Sequence, residues 1–275
     1  MEQKEMSFLG HIGELRGHLI RAIIAIIICA IVIGFNINFI MDHIFFWPTR
    51  NTFPTFRVVN HFSREIVGSD SIHLPKEFPV RVQKLYQQFN VMMAVSLFGG
   101  MVLAFPYLIW EIWRFIGPAL HPKERKNSVF LINFVWILFV TGVLCGYFMI
   151  LPFAINFGVI FKISDIIVPL YDLSDYTSLF LQVTLGMGII FLFPVLVYFL
   201  TNLKILTPEF MKKYRRHAVV LIMGVAAIIT PADVLSMMAA ALPLLLLYEF
   251  SIIMCKITVK RMNKRANTTD IVVSK

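Results

Sequence analysis

The 275-residue chain is 58% hydrophobic and 15% charged, with a formal net charge of +9 and a mean hydropathy of +0.77. This apolar content excludes a soluble globular domain and describes a polytopic membrane protein. The basic excess gathers at the ends of apolar stretches, where topology and anionic lipid account for it without nucleic acid.

In chain order, residues 1–17 read as a cytoplasmic amphipathic segment, because Phe8, Leu9, Ile12, Leu15 and Leu19 recur on one face at helical spacing. The apolar run that follows is long enough to span and has no small-residue cleavage site after it, so it reads as a retained first helix. With their flanks, the first four spans fall at 18–41, 89–115, 129–157 and 176–203, each long enough for the roughly 20 residues a bilayer requires. Helices two, three and four contain Pro106, Pro152 and Pro194, and kinks are expected there.

The last apolar region, 218–255, is interrupted by Thr230-Pro231-Ala232-Asp233. As one helix it would be about 57 Å long, against a hydrocarbon core of roughly 30 Å. Basic clusters flank it on both sides, Lys212, Lys213, Arg215 and Arg216 before it and Lys256, Lys260 and Arg261 after it. The positive-inside rule puts both on the cytoplasmic side, so the region goes out and back as two short helices, 218–230 and 234–255. The fold expected is a single all-α domain over 18–255, six transmembrane helices in a kinked, concave bundle, followed by a mobile cytoplasmic basic tail, 256–275. Both termini are cytoplasmic and the 160–177 loop, with Asp165, Asp172 and Asp175, is outside. Helix five would cover only about 20 Å, which implies local thinning of the bilayer. Cys29, Cys145 and Cys255 are far apart in apolar runs, so neither a disulfide framework nor a metal site is expected. No cofactor is implied.

Two carboxylates stand on the basic side next to apolar spans. Glu14 follows the amphipathic face, and it is either an interfacial charge paired with His18, four residues on, or part of a binding site. Glu124 lies in Pro122-Lys123-Glu124-Arg125-Lys126, where a local ion pair is the plain alternative. Two separate carboxylates suit two guanidinium groups, which bind carboxylates as planar, bidentate pairs. Trp110 and Trp113 suit the interfacial aromatic belt, and Asp233 suits a turn after proline.

Three stretches then carry a family resemblance: His11-x-x-Glu14-Leu15-Arg16-x-x-Leu19, the run from Phe105-Pro106 through Trp113-x-Phe115-x-x-Pro118-Ala119-Leu120 to Glu124-Arg125, and Thr230-Pro231-x-Asp233. Together, in this order, they resemble TatC, the multi-spanning subunit of the twin-arginine protein translocase. The resemblance implies a signal-peptide receptor and translocase core in the bacterial cytoplasmic membrane, exporting folded cargo with the proton gradient. It implies single-span partner subunits of the TatA/TatB type, self-association in the complex, and no enzymatic activity.

Carried onto this chain, Glu14 and Glu124 would hold the twin arginines, Arg16 would shape the site and Phe115 would contact the signal peptide. Phe89, Pro48 and Asp233 match further family positions. Glu111 is an acid where an amide is common, so it either adds negative potential to the binding face or snorkels to the interface. Leu192 and Met237 stand where many relatives carry polar side chains, which bears on how partner subunits dock. The alternative is a secondary transporter for a small cationic or peptide substrate, which requires ionisable groups near the bilayer midplane; the spans offer almost none. An intramembrane hydrolase has no HExxH, GxSxG or paired aspartates to work with.

Overall fold

In a computed structural model, the structure describes residues 8–67, 80–116, 128–161, 163–164, 166, 170–231 and 233–273. The elements are overwhelmingly helical: α1 (Phe8–Phe35), α2 (Ile37–Ile40), α3 (Pro54–Val67), α4 (Gln87–Ile116), α5 (Ser128–Cys145), α6 (Leu151–Ile160), α7 (Leu173–Ile190), α8 (Phe193–Asn202), α9 (Pro208–Lys213), α10 (Arg215–Ile229) and α11 (Val234–Val273). A two-residue parallel bridge joins β1 (Val80–Arg81) to β2 (Tyr171–Asp172), with Val80 opposite Tyr171. This bridge is too short to leave an alternating pattern in the sequence.

Among the described residues, five helical stretches are long and apolar enough to cross a membrane: Gly13–Phe35, Gln87–Phe115, Ile132–Ile160, Leu173–Asn202 and Val234–Met262. The amphipathic start and the first span are one continuous helix, α1, with no break at residue 17. Pro152 follows a π-helical turn, Gly146–Ile150, that absorbs the lost hydrogen bond between α5 and α6. Pro194 does more than bend its span: α7 ends, residues 191–192 turn, and α8 restarts with the proline in its first turn, where a missing N–H costs nothing.

The last pair of helices departs from expectation. The fifth is short, 15 residues in α10. The sixth is not: α11 runs 40 residues, Val234–Val273, through the stretch expected to be a mobile tail. Lys256, Lys260 and Arg261 mark the end of the apolar run, but no glycine or proline follows Pro243, and basic side chains with long stems are good helix formers.

The chain divides into two compact units. One contains 1–46, 80–140 and 171–177, and the other 47–79, 141–170 and 178–275. In the first, α1 packs along α4 at close range: a β-carbon at Gly100 would lie 2.6 Å from the Ala30 backbone nitrogen, so only glycine allows this approach. Gln87 tethers β2 to the start of α4 through Asp172 and Ser174. In the second unit, a β-carbon at Gly142 would lie 2.6 Å from the Met187 carbonyl oxygen, which fixes the α5–α7 contact in the same way. Among the described residues the three cysteines are free.

Candidate functional site

The polar cluster of the first unit is built at the ends of α1 and α4 that lie nearest the basic stretches of sequence. On α1, Glu14, His18 and Arg21 are spaced i, i+4, i+7 and share one face. On α4, Tyr107, Glu111, Arg114 and Phe115 fall one helical turn apart around Glu111.

The two faces meet at Glu111, which is 1% exposed. Its Oε2 lies 2.5 Å from His18 Nδ1. Arg21 donates from Nε to Oε1 at 3.1 Å and from Nη2 to Oε2 at 3.3 Å. The Tyr107 hydroxyl donates to Oε1 at 2.8 Å, and Arg114 Nη1 stands 3.8 Å away. Burial alone would make a carboxylate costly, and this one is retained because two cationic groups, a hydroxyl and a histidine face it. It therefore neither snorkels to the interface nor offers open negative potential; its charge is used within the protein.

Glu14 is the reverse case. It is exposed, and among the described residues it makes no ion pair. The sequence-level alternative, a local Glu14–His18 pair, does not form, because His18 is engaged by Glu111. One helical turn, about 6 Å of rise, separates Glu14 from His18 along α1. Arg16 is also exposed, two residues on and on a different side of the helix. Phe115 is half-buried, with its ring edge-on to His18 at 6.1 Å between centroids. Glu14, His18, Arg21, Glu111 and Phe115 thus belong to one neighbourhood. Glu124 lies outside the described residues.

The other family-matched residues lie elsewhere. Phe89 is exposed near the start of α4, 26 residues from Phe115, or about 39 Å along the helix. Pro48 is buried in a 3-10 turn, Trp47–Thr49, of the second unit. Asp233, also in the second unit, is 3% exposed and serves as the N-cap of α11: its Oδ1 accepts from the Ser236 backbone N–H at 2.7 Å and its Oδ2 from the Ser236 hydroxyl. Arg21 and Tyr107, and His18 as a partner of Glu111 instead of Glu14, are what sequence reasoning left out. Their spacing within each helix is legible, but the pairing across 90 residues is not.

Long apolar helices and a polar cluster at one end of two of them define a multi-spanning helical membrane protein. Residues 10–243 match the family described as Sec-independent protein translocase protein (TatC). A Sec-independent protein translocase protein TatC of Blattabacterium sp. subsp. Periplaneta americana is 41% identical over 91% of this chain and 95% of its own length. A TatC of Halalkalibacterium halodurans is 31% identical over 96% and 94%. A crystal structure of the twin-arginine translocase receptor TatC superposes with a TM-score of 0.66 at 27% identity, covering 90% of this chain and 99% of that one. The chain belongs to the TatC family. It is a transport protein, a subunit of the translocase for Sec-independent export, and not an enzyme.

Proposed function

We propose that this subunit receives the twin-arginine signal peptide through Glu14 and Glu124, with Arg16 and Phe115 flanking the contact. The observation that supports this reading is the contrast between Glu111 and Glu14. Glu111 is buried and already paired, whereas Glu14, one helical turn before the His18 that meets Glu111, is exposed and among the described residues makes no ion pair. An incoming guanidinium meets Glu14 without first displacing an internal cation. Close to the bilayer the effective dielectric falls, so such a pair is stronger than one in bulk water. Lysine, which lacks the planar two-point contact, binds less well.

In this reading the protein is a six-helix subunit of the bacterial cytoplasmic membrane with both termini cytoplasmic and α10 as the short fifth crossing. It works with single-span TatA/TatB-type subunits and further copies of itself, and export draws on the proton gradient. Phe89, Pro48 and Asp233 act at other places in the molecule, Asp233 first of all as a helix cap. The test is binding of a twin-arginine signal peptide to the protein in nanodiscs. Glu14→Gln should weaken it roughly tenfold, in line with losing one charge-assisted pair. Unchanged affinity in both Glu14→Gln and Glu124→Gln would overturn the assignment.

A further inference from the structure

The segment between the first two spans contains a helix whose surface is divided into three stripes. Projected at 100° per residue, Phe56 and Ser63 share the side of α3 that packs inward, 1% and 8% exposed. Val58 and Phe62, a turn apart, form a second stripe and are 54% and 60% exposed. Arg57, His61 and Arg64, at i, i+4, i+7, form the third, next to the second and also exposed. Arg57, Asn60, His61 and Arg64 line a cavity of about 600 Å³. Glu65 borders the basic stripe, its carboxylate 3.5 Å from His61 Nδ1.

Where this helix sits follows from what it touches. The Thr55 hydroxyl donates to the Phe148 carbonyl, and Phe53 stacks on Phe148 at 5.5 Å while Trp47 meets the same ring edge-on at 6.3 Å. Phe148 belongs to the span Ile132–Ile160, 29 residues or about 43 Å, which exceeds the roughly 30 Å hydrocarbon core by about 13 Å. By the positive-inside rule the basic stretch of sequence before this span assigns its start to the cytoplasmic side, and we take the excess at the Ile160 end. Phe148 is 12 residues from Ile160, about 18 Å, hence within about 5 Å of the core boundary. Trp47, packed edge-on against Phe53 and Phe148 there, is a residue type that the membrane interface favours.

We infer that α3 is an interfacial lipid-binding helix on the outer side, with Val58 and Phe62 entering the acyl boundary and Arg57, His61 and Arg64 holding the phosphates of anionic phospholipid headgroups. Exposed apolar side chains beside a basic stripe, at interfacial depth, complement such a surface in both shape and charge. The site is independent of the signal-peptide reading, since it uses residues of the other unit and only the placement of the span.

The test replaces Phe62 with a benzophenone amino acid in the full-length protein, in nanodiscs of phosphatidylcholine containing about a third phosphatidylglycerol, and identifies crosslinked lipid by mass spectrometry. The expected result is a phosphatidylglycerol-to-phosphatidylcholine ratio in the crosslinks raised over the bulk ratio by about fivefold per arginine, a rise lost in Arg57→Gln plus Arg64→Gln, and no competition by millimolar inorganic phosphate. Retained signal-peptide binding in the variant controls for folding. Crosslinks to lipid without enrichment, crosslinks to protein alone, or enrichment abolished by inorganic phosphate would each overturn the proposal, the last by reassigning the site to a free anion.

Discussion

Glu111 and Glu14 are residues of the same type, on helices that pack together, in opposite environments: one buried and paired, the other exposed. The buried acid joins α1 to α4 and thereby sets the angle at which α1 presents Glu14. Truncating it leaves Arg21 and His18 facing each other with no anion between them. Because Arg21 is itself half-exposed, Glu111→Ala should lower stability by about 2 kcal/mol, the range for losing charge-assisted hydrogen bonds, read as a drop in melting temperature in detergent. A second residue-level prediction comes from Lys204, the one described non-glycine residue with positive φ, at 59°. It closes a Schellman motif after α8, with Ile205 N–H donating to the Leu200 carbonyl at 3.0 Å and Lys204 N–H to Thr201 at 2.9 Å. Lys204→Gly removes the steric cost of the left-handed conformation, about 1 kcal/mol, and should raise the melting temperature slightly.

Among the elements, the α1–α4 pair carries the site, and its closeness rests on Gly100. Gly100→Leu would drive a side chain into the Ala30 backbone. The expected loss is 3 kcal/mol or more, roughly the upper end for overpacking, together with loss of signal-peptide binding although no residue of the site has changed; circular dichroism and binding on the same sample would show both. Much of the helical order was legible from hydropathy alone, because uncharged runs of spanning length leave few other readings. What was not legible has physical reasons. Hydropathy ends the sixth span at Cys255 because charge begins there, yet charged side chains do not stop a helix that lacks a breaker. The break at residues 191–192 looked like a kink because a proline in sequence does not distinguish a bent helix from a restarted one. Glu111 is marked in the sequence only as an acid where relatives commonly carry an amide, and His18 and Arg21 reach it from a helix about 90 residues earlier, which no local pattern announces.

Across the whole molecule, the central claim is a division of labour: an exposed carboxylate receives the signal peptide and a buried one holds the receptor face in place. The two roles separate in a double-mutant cycle. Affinities would be measured in nanodiscs for the parent, Glu14→Gln and Glu111→Gln proteins against a twin-arginine peptide and peptides with either arginine changed to glutamine. The account predicts that Glu14→Gln and one of the two peptide changes are strongly non-additive, because they remove the same contact, while Glu111→Gln weakens all three peptides by a similar factor. Strong coupling of a peptide arginine to Glu111, with none to Glu14, would contradict it and make the buried acid the receptor.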